Sequence, residues 1–142
     1  MKAIPYVSFN GNCEEAVQFY HSVLGGEVSI LRFKNLPPEA AIPISDEWKE
    51  KVMHSAITFS DGNVMYLSDT WEDAPVTVGT NTTIHLQVDS ELEVRTAVEK
   101  LSKGGEITMP AEKTFWGSFY GSFVDKFGVN WGIEYLIDAG FH

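Results

Sequence analysis

The chain has 142 residues, 44% of them hydrophobic, which suits a single ordinary globular domain whose core needs no staples. Twenty acidic residues against ten basic ones leave a formal charge of −10, the wrong sign for the phosphates of nucleic acid or for an anionic membrane surface. Cys13 is the one cysteine, so no internal disulfide can form, and no stretch approaches the ~18 apolar residues of a membrane span.

In chain order, Ala3–Phe9 reads as a strand and Asn10-Gly11-Asn12 as a turn. Asn12 stands where a helix N-cap would be, with Glu14 and Glu15 in the first turn. Ala16, Val17, Phe19, Tyr20, Val23 and Leu24 recur at helical spacing, and Gly25-Gly26 ends the helix. Cys13, early in this helix with no second cysteine, reads as a structural thiol. Glu27–Phe33 is strand-like. Asn35–Ser45 holds three prolines and cannot be regular; it is either a lid or a plain surface connection. A short helix over Asp46–Lys51, capped by Ser45, precedes a hairpin of Val52–Ser60 and Asn63–Asp69 turning at Asp61-Gly62-Asn63.

Trp71–Thr82 is a linker. Thr83–Asp89 is a strand, Ser90 caps a helix over Glu91–Lys103, and Gly104-Gly105 ends it. Its apolar stripe is Leu92, Val94, Ala97, Val98 and Leu101. Glu106–Met109, Phe115–Asp125 and Val129–Ile137 are three further strands, the last two joined at Lys126-Phe127-Gly128. The chain therefore repeats itself. Ile4–Glu27 and Ile84–Glu106 each run strand, helix, Gly-Gly-Glu, and each is followed by more strands. One supersecondary unit used twice is implied, because one unit alone cannot bury its apolar face.

Strand parity sorts side chains to two faces. Ile84, Leu86 and Val88 oppose Thr83, His85 and Gln87. Ser55, Ile57 and Phe59 oppose His54, Ala56 and Thr58. Met65 and Leu67 oppose Tyr66 and Ser68, and Trp131, Ile133 and Tyr135 oppose Gly132 and Glu134. The apolar set is expected beneath the helices. The polar set is expected on the other sheet face, lining a cleft between the halves. Trp116 and Tyr120 share one face, and Trp116 is placed either near that cleft, as a flat wall with one N–H donor, or in the core.

From Ile4 to about Leu136 the chain resembles the vicinal-oxygen-chelate superfamily, which includes glyoxalase I, extradiol dioxygenases and the fosfomycin and bleomycin resistance proteins. The match is closest to its PhnB-like branch. It is carried by Phe9-Asn10-Gly11-Asn12-Cys13-Glu14-Glu15-Ala16, Phe19-Tyr20, Leu24-Gly25-Gly26, Val52-Met53-His54, Leu67-Ser68-Asp69, Gly104-Gly105, Thr114-Phe115-Trp116-Gly117 and Asp125-Lys126-Phe127-Gly128-Val129-Asn130-Trp131. The resemblance implies an α+β fold: two βαβββ modules, about 1–70 and 83–142, making one glyoxalase-like domain with a cupped eight-stranded mixed sheet. It also implies a homodimer. Relatives in this branch are often labelled methyltransferase-like, but the glycine pairs here follow helices, whereas a Rossmann-type cofactor loop sits between a strand and a helix.

In metal-using members, four ligands project from the first and fourth strands of each module. The places that match them hold Pro5, Tyr66, Thr83 and Gly132, none a histidine or carboxylate. No metal and no cofactor are expected at that standard site. His85 and Glu134 lie two residues beyond vanished ligand places and keep the same strand face; His54 has matching parity. These three could form a displaced metal site, a hydrogen-bonded polar cavity or dimer-interface histidines, and His85 and Glu134 could instead form an acid–base pair. His21 and His142 read as surface residues. The leading expectation is a cytoplasmic protein that binds a small organic molecule through Tyr66, Thr83, His85, Gln87 and Glu134, with His54 and Trp116 at the wall. It would act by sequestration or by non-metal chemistry. The alternatives are a metal-dependent lyase, isomerase or dioxygenase with displaced ligands, and a structural or regulatory dimer with a vestigial cleft.

Overall fold

The structure, a computed structural model, describes residues 1–40 and 42–138. His142, read above as a surface residue, lies outside the described residues. The chain divides into two compact units, Met1–Thr77 and Val78–His142. Each unit has the order strand, helix, three strands, so the repeat seen in the sequence is a repeat of βαβββ topology.

The first unit contains β1 (Tyr6–Phe9), α1 (Cys13–Leu24), β2 (Glu27–Arg32), β3 (Val52–Thr58) and β4 (Val64–Asp69). Its four strands are ordered β1-β4-β3-β2, with β1 and β4 parallel and the other pairs antiparallel. The parallel pair needs a long crossover, and α1 together with the two intervening strands supplies it. Cys13, Ala16, Val17 and Tyr20 of α1 are buried with Ile57, Met65 and Leu67 of the sheet, as helical and strand periodicity require. Ser55 shares that face and is fully buried; its hydroxyl donates to the Leu67 carbonyl at 2.6 Å. The stretch after β2 forms three short 3-10 turns, Phe33–Asn35, Pro38–Ala40 and Trp48–Glu50. The expected helix over Asp46–Lys51 is thus a single 3-10 turn, though Ser45 Oγ does accept the Trp48 N–H at 3.3 Å.

The second unit contains β5 (Thr83–Gln87), α2 (Glu91–Leu101), β6 (Glu106–Lys113), β7 (Ser118–Val124) and β8 (Asn130–Leu136). Their order, β5-β8-β7-β6, repeats that of the first unit, with β5 and β8 parallel. The eight expected strands therefore form two four-stranded mixed sheets, one per unit. Val94, Ala97, Val98 and Leu101 of α2 are buried with Phe119, Phe123, Trp131 and Ile133. Phe123 and Trp131 stack at 6.4 Å, and the Trp131 indole N–H donates to Asp125 Oδ2 at 2.9 Å.

Four local expectations are corrected. Leu92 is 72% exposed, because at the second position of α2 it points away from the sheet. Helix α2 ends at Leu101 rather than Lys103. Phe115 and Trp116 do not begin a strand: they occupy a tight turn in which Thr114 N–H donates to the Ser118 carbonyl and Gly117 takes a φ of +88°. Asn12 makes no capping bond with its side chain. Asp69, at the end of β4, does that work instead: its Oδ1 accepts the N–H groups of Gly11 at 2.8 Å and Cys13 at 3.0 Å, and its Oδ2 that of Val52 at 2.9 Å.

Candidate functional site

The site residues lie on the sheet faces turned away from the helices. In β5 and β8 the parallel register pairs Gln87 with Glu134 and His85 with Gly132. Antiparallel pairing with β7 sets Tyr120 opposite Glu134 and Ser118 opposite Leu136. Ile84, Trp131, Ile133, Phe119 and Phe123 take the helix side, so Thr83, His85, Gln87, Gly132 and Glu134 share the other side with Ser118 and Tyr120.

His85 and Glu134 are brought into direct contact: Nε2 of the imidazole lies 2.7 Å from Oε2 of the carboxylate. The second carboxylate oxygen accepts the hydroxyl of Ser118 at 2.5 Å. Glu134 is 4% exposed, whereas the His85 side chain is 48% exposed. A buried carboxylate thus holds a half-exposed imidazole in one orientation. The order of contacts matters chemically. Serine meets the carboxylate and not the imidazole, so these three groups are not a nucleophile–base–acid relay, in which the serine must touch the histidine. What they make is an oriented imidazole with one nitrogen committed.

Tyr120 lies almost parallel to His85, with ring centroids 6.0 Å apart and planes 19° from one another. Trp116 meets Tyr120 edge-on at 6.0 Å. Gly132 makes room for this arrangement. A Cβ there would fall 2.9 Å from the Tyr120 hydroxyl oxygen and 3.2 Å from His85 Nδ1. Thr83 and Gln87 flank His85 on the same strand and are exposed.

The first unit carries a counterpart. Tyr6 stands in β1 as His85 does in β5, two residues before the pair Ser8–Ser68 that matches Gln87–Glu134. Its hydroxyl oxygen is 3.3 Å from Ser68 Oγ and 3.3 Å from His54 Nδ1. Tyr66 packs edge-on against both His54, at 4.8 Å, and Tyr6, at 5.8 Å. His54 and Tyr66 are therefore grouped in the first unit, and His85, Glu134, Thr83, Gln87 and Trp116 in the second. Sequence reasoning missed Tyr6, Ser118 and Tyr120 as members of these groups. Parity over the expected strand Phe115–Asp125 already sets Ser118 and Tyr120 on the face of Trp116, but no pattern shows that the Ser118 hydroxyl meets Glu134.

Pro5 precedes β1, the Tyr66 ring packs against His54, Thr83 is exposed, and Gly132 has no side chain. Among the described residues, no group of three His, Cys, Asp or Glu side chains is arranged to hold a metal ion. Cys13 is fully buried, and burial first, then the nearby Asp69 carboxylate, pushes its thiol up to about 12, which suits a structural and not a reactive sulfur. A pocket of about 210 Å³ opens elsewhere in the first unit, between Phe33, Leu36, Pro38, Ile42 and Lys49, and none of the site residues borders it.

Comparison with known proteins agrees with this architecture. The family profile described as the Glyoxalase/Bleomycin resistance protein/Dioxygenase superfamily matches residues 4–133. Protein YjdN of Escherichia coli (strain K12) is 28% identical over 143 residues, covering 96% of this chain and 96% of that protein. The crystal structure of PA1353 from Pseudomonas aeruginosa shares 34% identity and superposes with a TM-score of 0.85, over 97% of this chain and 99% of that one. A PhnB protein from Bacillus cereus, described as a putative 3-demethylubiquinone-9 3-methyltransferase, has 24% identity and a TM-score of 0.72, over 95% and 99% of the two chains; that likeness is one of fold. Because the profile spans nearly the whole chain and the repeated βαβββ topology accompanies it, the chain belongs to the Glyoxalase/Bleomycin resistance protein/Dioxygenase superfamily.

Proposed function

We propose that this chain binds a small organic molecule at the polar sheet face of its second unit, where His85 orients the ligand and Glu134 holds His85. It sequesters that molecule or turns it over by chemistry that needs no metal at the family's usual ligand places. One observation carries the reading: a nearly buried carboxylate with both oxygens engaged fixes a half-exposed imidazole. Removing a carboxylate from water is costly unless its oxygens are satisfied, and here a histidine and a serine satisfy them. Such a group is well suited to a polar contact or to giving or taking a proton. The aromatic surface of Tyr120 and Trp116 beside it suits an organic ligand. Pro5 and Gly132 offer no side-chain donor, which supports a metal-independent site.

A thermal-shift screen with small metabolites and divalent metals tests this. A ligand that binds only the folded chain raises the melting temperature, by ~2.7 kcal/mol of added stability at a hundredfold excess over its dissociation constant. His85→Ala should abolish that shift, read against the variant's own unliganded melting temperature, which should itself fall because one oxygen of the buried Glu134 loses its partner. A ligand whose shift survives His85→Ala binds elsewhere and defeats the reading. The assembly we propose is a two-fold homodimer, the commonest closed symmetry. Light scattering at micromolar concentration that returned the single-chain mass of 15.8 kDa would overturn it.

A further inference from the structure

We propose that Asn10 is a modification site: its side chain converts spontaneously to aspartate or isoaspartate when residues 74–76 lift away from it, and the conversion unfastens those residues irreversibly. Asn10-Gly11 belongs to the turn between β1 and α1, and the candidate binding face makes no use of it. The reaction needs no partner but water. The backbone nitrogen of Gly11, once its proton has gone to hydroxide, attacks Cγ of Asn10. The N–Cγ bond forms, the Cγ–Nδ2 bond breaks, and Nδ2 leaves as ammonia with a proton from water. Water then opens the cyclic imide. Cleavage of the new N–Cγ bond gives aspartate, and cleavage of the original peptide bond gives isoaspartate. Nothing is oxidised or reduced. Glycine suits the attacking position because it has no Cβ to crowd its nitrogen.

The folded first unit holds both reacting groups. Asn10 is exposed to water, but its carboxamide is docked on Val76: Nδ2 donates to the Val76 carbonyl at 3.0 Å, and Oδ1 accepts the Val76 N–H at 2.8 Å. The Gly11 N–H donates to Asp69 Oδ1 at 2.8 Å. A proton held against a carboxylate is harder to remove, because the adjacent negative charge opposes a second one. Thr70 supports the docked segment: its hydroxyl donates to the Ala74 carbonyl at 2.5 Å and closes the exposed turn that precedes Val76. The product does not fit this clamp. A carboxylate only accepts hydrogen bonds, so an acid at position 10 leaves the Val76 carbonyl facing a like partial charge in place of its donor. Isoaspartate also adds a backbone carbon between β1 and α1.

The test is peptide mapping by mass spectrometry on the full chain, incubated in mildly alkaline buffer with and without urea. The unfolded chain should convert Asn10 on the order of a hundredfold faster than the folded one, the combined weight of two neutral hydrogen bonds and one to a charged group. Thr70→Val keeps the shape of that side chain and touches neither reacting group. It should speed conversion in the folded chain about fivefold, at a urea concentration far below its own unfolding midpoint. Asn10→Asp should raise the amide hydrogen exchange of Val76 and leave that of β3 unchanged. Equal rates in folded and unfolded chain overturn the clamp, and an unreactive Asn10 in the unfolded chain overturns the chemistry. A Thr70→Val rate equal to that of the unaltered chain removes residues 74–76 as the gate. Unchanged exchange at Val76 in Asn10→Asp shows that the conversion unfastens nothing.

Discussion

Two buried carboxylates of this chain are satisfied in different ways. Asp69 and Glu134 are each 4% exposed, but Asp69 spends its oxygens on the backbone N–H groups of Gly11, Cys13 and Val52, whereas Glu134 spends its own on side chains. Asp69→Ala would strand three amide donors beside the start of α1 and should destabilise the fold by about 3 kcal/mol, read as a lower urea midpoint. The Cys13 thiol lies in the same place. With its pKa pushed up to about 12 by burial and by Asp69, it should resist a thiol reagent in folded protein and react only on unfolding. The two carboxylates differ in how far sequence alone reveals them. Parity is enough to put Glu134 on the same sheet face as His85. Asp69 at the end of a strand looks like any turn acid, because its three partners come from segments 17 or more residues away.

The two helices show the same contrast between local and distant support. At α2, Ser90 Oγ accepts the Glu93 N–H at 3.2 Å, and the Glu93 carboxylate takes the Asp89 N–H at 2.9 Å, a reciprocal cap written entirely in neighbouring residues. At α1 the equivalent bonds reach Asp69 of β4, and Asn12 contributes its position only. Ser90→Ala should therefore cost about 1 kcal/mol. Asn12→Ala, which looks like the same substitution, should change stability by no more than about 0.5 kcal/mol. Chemical denaturation of both variants checks the pair. Sequence pattern also carried the repeat of strand, helix and Gly-Gly-Glu into real topology, but not the full role of the second glycine. A Cβ at Gly105 would collide with the Val124 carbonyl oxygen, and one at Gly26 would come within 2.8 Å of that of Thr58. Each glycine lets the chain leaving a helix press against a neighbouring strand. That close approach depends on strand pairing about 20 to 30 residues downstream, which no local pattern shows. Likewise the turn at Phe115–Gly117 interrupts an aromatic run that alternates as a strand would.

At the scale of the whole molecule the question is whether this superfamily member uses a metal, and if so where. Membership follows from the profile match and the repeated topology, and these say nothing of which atoms touch a ligand. The metal-free reading proposed above leans on the residues instead: Gly132 has no side chain, Pro5 has no donor, Thr83 has only an alcohol, and the Tyr66 ring packs edge-on against His54. The displaced alternative needs His54, His85 and Glu134 together. Glu134 already gives one oxygen to Ser118 and the other to His85, so a cation would have to break contacts that now satisfy a buried charge. Protein purified without added metal should therefore carry no stoichiometric zinc, nickel, manganese or iron by elemental analysis. Dialysis against a chelator should leave its melting temperature and its His85-dependent ligand shift unchanged. One metal per chain, lost in each of His54→Ala, His85→Ala and Glu134→Ala, would reverse the conclusion: the same three side chains would then be ligands, and the oriented imidazole a metal donor whose proton chemistry belongs to the ion.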